Sequence, residues 1–230
     1  MNKFNFTLCS IDLESNVKKK KNEFVIIIIL VYLRNFSNMI HYAIKYGKEI
    51  VPYIKDLARL RIEVFREYPY LYDGNFEYEE KYLSKFSEVE DAYLVLVFDK
   101  EQVIGAFTGI PMRFEDTTIV SHIPLDTLNN SFYLSEIILQ KNFRGKGIGM
   151  HLFHLLEEKI ISLKKYNRIY FASVVRPENH PQKPTGYKSL DAMWLSKGYS
   201  PTPYLCTLSW KEVDEQAESE KTLALWEKEI

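Results

Sequence analysis

The amino-acid sequence predicts a domain of the α/β or α+β class built around a mixed sheet. Segments in which apolar residues recur at helical spacing alternate with short runs rich in β-branched residues. Two of these runs, 92–98 and 103–110, are separated by four polar residues and are typical of a hairpin. Hydrophobic residues make up 46% and charged residues 27% of the chain, which is the balance of a soluble globular protein.

The elements are predicted as follows, in chain order. Residues 40–46 alternate as an opening strand does, and residues 49–67 carry apolar positions at helical spacing. An aromatic loop with Pro and Asp-Gly, 68–74, ends that helix. A second helix is predicted at 78–86, followed by the hairpin and an irregular stretch, 113–130. Further strands are predicted at 132–140, 168–175, 204–210 and 222–226, with helices at 147–163 and 190–197 and the last two strands forming an antiparallel pair.

Residues 1–38 are unlike the rest of the chain. A basic run, Lys18 to Lys21, precedes an apolar run at 24–33, which is shorter than the roughly 17–25 residues of a membrane-spanning helix. The order resembles a signal peptide, but no small-residue cleavage pattern follows. A strand, a short anchor and a natural start at Met39 all remain open. We predict an atypical leader at 1–38 and one domain at 39–230.

Composition argues against several classes of function. Lys+Arg 30 against Asp+Glu 31 gives a net charge of -1, without the basic surplus of a nucleic-acid-binding protein. The two cysteines, Cys9 and Cys206, cannot form a zinc cluster or a disulfide framework. His151 and His154 lack a clear third ligand, so no metal site is expected. We expect a cytoplasmic protein that meets a membrane only if the leader is native.

One segment carries the pattern of an anion-binding loop. A strand at 132–140 leads to Arg144-Gly145-Lys146-Gly147-Ile148-Gly149, which opens an amphipathic helix. Glycines allow close approach of the backbone, and the first amides of a helix lack partners, so several N–H groups can bind one anion. Arg144 and Lys146 add positive charge for phosphate. The spacing departs from dinucleotide and P-loop fingerprints, and a plain strand-to-helix turn is the alternative.

The loop resembles the pyrophosphate loop of the GNAT acetyltransferase superfamily, whose pattern is Arg/Gln-x-x-Gly-x-Gly/Ala. Arg144, Gly147 and Gly149 occupy the defining positions. Residues 193–199, which end in Lys-Gly-Tyr, resemble the later motif of that family. The resemblance covers roughly residues 39–226. It implies a mostly antiparallel central sheet flanked by helices, with acetyl-CoA or another acyl-CoA as co-substrate and no metal.

The resemblance also implies which residues bind the cofactor. The loop amides should hold the pyrophosphate, and the pantetheine arm should run beside the edge of the strand before the loop. The family's asparagine resembles Asn179, although an insertion at 184–189, interpreted as a lid over the acceptor, lies between it and the later motif. The implied cofactor-binding residues are Ile138, Leu139, Arg144, Gly145, Lys146, Gly147, Ile148, Gly149 and Asn179.

For catalysis, the resemblance implies a base for the ammonium and an acid for the thiolate. Glu136 is the candidate base because it is a carboxylate in an otherwise apolar strand, although it could instead point outward or pair with a basic neighbour. The usual acid is a tyrosine four residues before the glycine of the later motif. That position is Trp194, which has no titratable proton near neutral pH. Tyr187, Tyr204 or water could serve instead.

The acceptor usually lies near the loop between the first two helices. Tyr70, Tyr72 and Asp73 are the candidates there, since aromatic rings and acids suit a cationic amine. Plain packing of the tyrosines is the alternative. The predicted function is N-acyl transfer to a small cationic or amino-acid-like primary amine. A protein N-terminal or lysine acetyltransferase and a non-catalytic acyl-CoA sensor are the rivals, and a homodimer remains open.

Overall fold

A computed structural model describes residues 40–121 and 123–230. The predictions for the leader therefore lie outside the described residues. Residues 42–98 and 103–230 form one compact unit, which contains the hydrophobic core and the candidate site. The other described residues, 40–41 and 99–102, contribute the start of the first strand and the turn between the second and third strands.

The described residues form seven strands and six α-helices, joined in places by short 3-10 turns. In chain order they are β1 (Ile40–Tyr46), α1 (Ile54–Phe65), α2 (Phe76–Glu88), β2 (Tyr93–Asp99), β3 (Gln102–Pro111), α3 (Thr117–Val120), α4 (Leu125–Leu128), β4 (Ser131–Leu139), α5 (Ile148–Leu163), β5 (Arg168–Val174), α6 (Asp191–Ser196), β6 (Ser200–Trp210) and β7 (Ser219–Glu229). The first helix begins later than predicted because Pro52 has no N–H to donate, and residues 47–53 wind as a 3-10 helix.

The sheet is mixed and mostly antiparallel, which confirms the predicted fold class. Its strand order is β1-β2-β3-β4-β5-β7-β6. The β3–β4, β5–β7 and β6–β7 pairs are antiparallel, whereas β4 and β5 run parallel. The predicted pairing of the two closing strands is present, and both strands are longer than their apolar runs suggested.

The strands β4 and β5 separate after a short stretch of pairing. They are partners only from Ser131–Arg168 to Tyr133–Tyr170, after which β5 continues beside β7 and β4 beside β3. At the point of separation β4 carries a bulge, because Thr108 pairs with Glu136 and Gly109 with Leu134, so that Ser135 has no partner on β3. A gap therefore opens in the middle of the sheet.

Helices cover both faces of the sheet. On one face, buried residues of α1 and α2 pack with Ala106 of β3 and Ile138 of β4 in one hydrophobic cluster. On the other face, Phe107 of β3 stacks on Phe153 of α5 with ring centroids 5.6 Å apart. Alternation along β3 places neighbouring residues on opposite faces. The gap between β4 and β5 is thus walled by helices on both sides.

Candidate active site

A cavity of about 580 Å³ lies where β4 and β5 diverge. Its floor is β4, with Ser135 and Glu136, and the opposite wall is β5 together with its continuation to Arg176. Tyr68 and Tyr70 from the α1–α2 connection form one side. Segment 183–191 and Trp194 of α6 contribute further residues to the lining. The site is therefore assembled from regions far apart in the sequence.

The glycine loop has the backbone shape that an anion site needs. Gly145 and Gly147 adopt φ of 73° and 81°, in the left-handed region that favours glycine. Gly147 is the N-cap of α5, and its carbonyl accepts the first helical hydrogen bond, from the amide of His151 at 3.0 Å. A Cβ added at Gly145, Gly147 or Gly149 would meet no heavy atom within 4 Å. Open space above unpaired helical amides fits a pyrophosphate.

The side chains of the loop are already engaged within the protein. Arg144 donates from Nε to the carbonyl of Leu139 at 2.9 Å and forms a fork with Glu67, at 2.8 and 3.3 Å. The Lys146 ammonium donates to the carbonyl of Asn142 at 2.9 Å. Main-chain amides, rather than side-chain charges, are thus what the loop offers. Glu67 was missed because nothing in the sequence links it to Arg144.

The remaining cofactor-binding candidates lie in different surroundings. The side chains of Ile138 and Leu139 are buried, so either residue could contact a ligand only through its backbone. The carbonyl of Leu139 already accepts a hydrogen bond from Arg144. Asn179 is exposed in a turn after β5 and is not among the residues lining the cavity. The structure brings the glycine loop and the end of β4 together and leaves Asn179 apart.

Glu136 lines the cavity and is ion-paired. Its side chain is 4% exposed and contacts the guanidinium of Arg61 from α1, which also pairs with Glu79 from α2. Arg61 lies over the Tyr82 ring at 4.5 Å and the Phe65 ring at 5.0 Å. Burial by itself lowers the pKa of Arg61, but Glu136, Tyr82 and Glu79 together raise it well above its ordinary value. The guanidinium therefore remains charged at every ordinary pH.

The structure shows the alternative that the sequence left open for Glu136, a pair with a basic residue. Arg61 and Glu79 were not predicted as members of the cluster, although the sequence holds a signal for Arg61. Arg61 occupies an apolar-phase position of the first helix, between Leu57 and Phe65. A charged residue at a core-facing position requires a buried partner of opposite charge. That requirement could have suggested an acid opposite the helix, but not which acid.

The candidate acids differ in position. Tyr187 lines the cavity, and its ring packs edge-on against Tyr68 at 4.7 Å. Burial, and then Tyr68, raises the pKa of Tyr187, so this phenol keeps its proton at neutral pH. Tyr204 is 38% exposed on β6 and is not among the lining residues. Trp194 lines the cavity, with its ring 4.7 Å from that of Phe171.

The residues predicted to bind the acceptor also differ in whether they line the cavity. Tyr70 lines the cavity, and burial together with the nearby Glu136 raises its pKa to about 12. Tyr72 and Asp73 do not line it. Burial and then Glu79 raise the pKa of Tyr72, while hydrogen bonds from Lys211 (2.9 Å) and Arg66 (3.1 Å) lower the pKa of Asp73. In the structure, Asp73 anchors the loop to the β6–β7 connection.

Arg176, which the sequence analysis passed over, fixes the loop that carries Tyr68 and Tyr70. Its guanidinium donates from Nε to the carbonyl of Pro69 at 2.7 Å and from Nη2 to the carbonyl of Tyr70 at 3.1 Å. Glu212 accepts from the same Nη2 at 2.5 Å. The loop backbone at Pro69 and Tyr70 is therefore held in place beside the cavity.

Comparison with known proteins agrees with this geometry. Residues 39–184 match the acetyltransferase (GNAT) family. The chain belongs to this family. GNAT proteins are acetyltransferases, and membership of the family supports transfer of an acyl group from coenzyme A as the general chemistry of this chain. Among curated proteins, none matches this sequence.

Solved GNAT structures share the fold at low sequence identity. A ribosomal-protein-alanine N-acetyltransferase from Brucella melitensis is 15% identical with a TM-score of 0.53, covering 84% of this chain and 99% of its own. A GNAT acetyltransferase from Streptococcus pneumoniae is 14% identical with a TM-score of 0.52, covering 83% and 100%. NAA60 of Arabidopsis thaliana, in complex with a bisubstrate analogue, is 8% identical with a TM-score of 0.52, covering 84% and 99%. These likenesses show the fold.

No group of three or more His, Cys, Asp or Glu side chains in residues 40–121 and 123–230 is arranged to hold a metal ion. Within the same ranges, no helix has both the length and the hydrophobicity to cross a bilayer.

Proposed function

We propose that this GNAT protein is an N-acyltransferase that moves an acetyl or short acyl group from acyl-CoA to a primary amine, with a small cationic or amino-acid-like molecule as acceptor. The observation that carries the proposal is the cavity between β4 and β5, lined by the carboxylate Glu136 and aromatic rings. Residues 39–230 are proposed to form the acyltransferase domain, working in the cytoplasm.

We assign cofactor binding and proton transfer to different residues of the chain. Bound acetyl-CoA supplies the acyl group as a thioester. The amides of residues 144–149 are proposed to hold its pyrophosphate, with the backbone of Ile138 and Leu139 beside the pantetheine arm. Glu136 is proposed to accept the proton of the acceptor ammonium, directly or through water, since its Oε1 has no hydrogen-bond partner in the structure. Tyr187 is the proposed proton donor, because it lines the cavity and keeps its proton at neutral pH.

The rival acceptor is a protein chain. The Brucella melitensis neighbour bears the name of an enzyme acting on a ribosomal protein, but it shares only 15% identity. Segment 183–191 contributes Lys183, Tyr187 and Asp191 to the lining, which favours a closed pocket over an open groove. The second candidate function is a non-catalytic acyl-CoA sensor, favoured by Trp194 at the position of the usual tyrosine.

The first experiment is a calorimetric titration of acetyl-CoA into the full chain and into a Gly147→Glu variant. We expect micromolar binding that is lost in the variant, because the added carboxylate would stand where the pyrophosphate binds. Gly198→Glu is the matched control, since Gly198 has a similar φ of 83° and lies outside the loop. Its binding should equal that of the unaltered chain. No binding to the unaltered chain would contradict the proposal.

The second experiment measures thiol release from acetyl-CoA with a panel of small amines and with peptide N-termini. Release with small amines alone supports the proposed acceptor class. Release with peptides alone would replace it by the protein-acetylating rival. Binding of acetyl-CoA without release for any acceptor would favour the sensor.

A further inference from the structure

The buried charges around Glu136 do not cancel. Two carboxylates, those of Glu79 and Glu136, share the single guanidinium of Arg61. The side chains are 0% exposed for Glu79, 4% for Glu136 and 11% for Arg61. The nearby carboxylate of Glu115 has its own partner, the Lys85 ammonium at 2.8 Å. With both carboxylates ionised, this cluster carries one surplus negative charge, which a region almost without water screens weakly.

The cluster meets the cavity at one residue. Among the described residues, three buried side-chain polar atoms have no hydrogen-bond partner, namely Glu79 Oε1, Thr108 Oγ1 and Glu136 Oε1. Thr108 is the β3 partner of Glu136, so these atoms lie around one centre. Of the three residues, only Glu136 lines the cavity. A buried carboxylate oxygen without a hydrogen-bond partner, on a residue that lines a cavity, is suited to an ammonium donor.

The other charged residues that line the cavity do not offset the negative charge at Glu136. Arg176 is paired with Glu212 and Lys183 with Glu178, both at 2.5 Å. Asp191 lies exposed, where solvent screens it. The cavity is also lined by aromatic rings, those of Tyr68, Tyr70 and Tyr187. The face of an aromatic ring attracts a cation and not a neutral group of the same shape.

We propose that Glu79, although it does not line the cavity, determines its preference for cationic acceptors by sharing Arg61 with Glu136. With Glu79 charged, the guanidinium is divided between two carboxylates and Glu136 presents a net negative charge. With Glu79 neutral, the charges of Arg61 and Glu136 cancel. An incoming ammonium then meets no net negative charge. Glu79 is thus a positioning residue for specificity, and the inference rests on the proposed acceptor site.

The test compares two probes of nearly equal shape, benzylammonium and benzyl alcohol, titrated at neutral pH into the full chain without acetyl-CoA. In the unaltered chain the cation should bind at least about tenfold more tightly, which corresponds to about 1.4 kcal/mol. In Glu79→Gln the preference should fall to about threefold or less. The control is Glu157→Gln, which removes a comparably buried carboxylate bound to Tyr199 and Lys228, and should keep the full preference.

Thermal unfolding of each variant shows whether it is folded. If Glu79→Gln does not unfold cooperatively, Glu79→Met removes the same charge with an apolar side chain of similar length and is titrated in its place. Equal binding of the two probes, no binding of either, or an undiminished preference in the variant overturns the inference. Thiol release in the unaltered chain reports separately on the proposed function. Release without any charge preference overturns the inference alone, whereas charge preference without release overturns acyl transfer alone.

Discussion

The glycine loop and the Glu79–Arg61–Glu136 cluster are built in opposite ways. The loop is six consecutive residues whose proposed function lies in main-chain amides and in the open space around its three glycines. The cluster joins three residues from α1, α2 and β4, and its proposed function lies in side-chain charges almost removed from water. A loop of the first kind is visible as a sequence pattern. A cluster of the second kind exists only once helices and sheet have packed.

Removing the central charge of the cluster should have the largest effect on folding. Arg61→Met leaves Glu79 and Glu136 buried without a cation, and breaking such a pair costs about 3–5 kcal/mol. Urea unfolding should show this loss of free energy. In the loop, Arg144→Gln breaks a partly exposed pair with Glu67 and should cost less than about 1 kcal/mol. Equal losses in the two variants would contradict the contrast between the regions.

Replacing the proposed base should have the next largest effect, and on turnover. Glu136→Gln keeps the shape of the side chain but cannot accept a proton, so kcat should fall by about 100-fold or more. The affinity for acetyl-CoA should stay within about twofold, because the loop amides are unchanged. Both are measured by thiol release and calorimetry, with Glu157→Gln as the control. Unchanged turnover would remove Glu136 as the base.

The two candidate acids should differ in a smaller but clear way. Tyr187→Phe removes a hydroxyl at the cavity and should lower kcat by about tenfold. Tyr204→Phe removes one on the exposed part of β6 and should leave kcat unchanged. A larger loss of kcat in Tyr204→Phe than in Tyr187→Phe would contradict Tyr187 as the proton donor.

The smallest expected effect concerns acid stability. Hydrogen bonds from Ser219 and the Glu212 amide, with Lys221, lower the pKa of Glu215 from 4.5 to about 2. A lowered folded-state pKa means that Glu215 contributes stability above about pH 4.5, and that this contribution is lost as the pH falls toward 2. Glu215→Gln should therefore unfold at lower urea than the unaltered chain at pH 7. The two midpoints should converge near pH 2, and a constant difference would refute the assignment.

Much of the fold could be predicted because its signals are local. Apolar periodicity located α1, α2, α5 and most strands, and the closing pair was expected from two apolar runs alone. Boundaries were less certain where one residue changed the local geometry, as Pro52 does at the start of α1. The short helices α3 and α4 have four residues each, too few to show a period. The bulge at Ser135 follows from pairing with β3, which the sequence of β4 does not contain.

By itself, the sequence determined the glycine loop, the order of elements and the resemblance to the GNAT family, because each depends on residues close together in the chain. Only the tertiary structure decided that Glu136 shares Arg61 with Glu79, that Tyr70 and Tyr187 line the cavity, and that Tyr72, Asp73 and Tyr204 do not. Alternation assigns a residue to a face of a strand or helix, but the partner it meets there comes from another part of the chain. In this protein, long-range pairing of charges and rings therefore determines which groups meet at the cavity proposed for the acceptor.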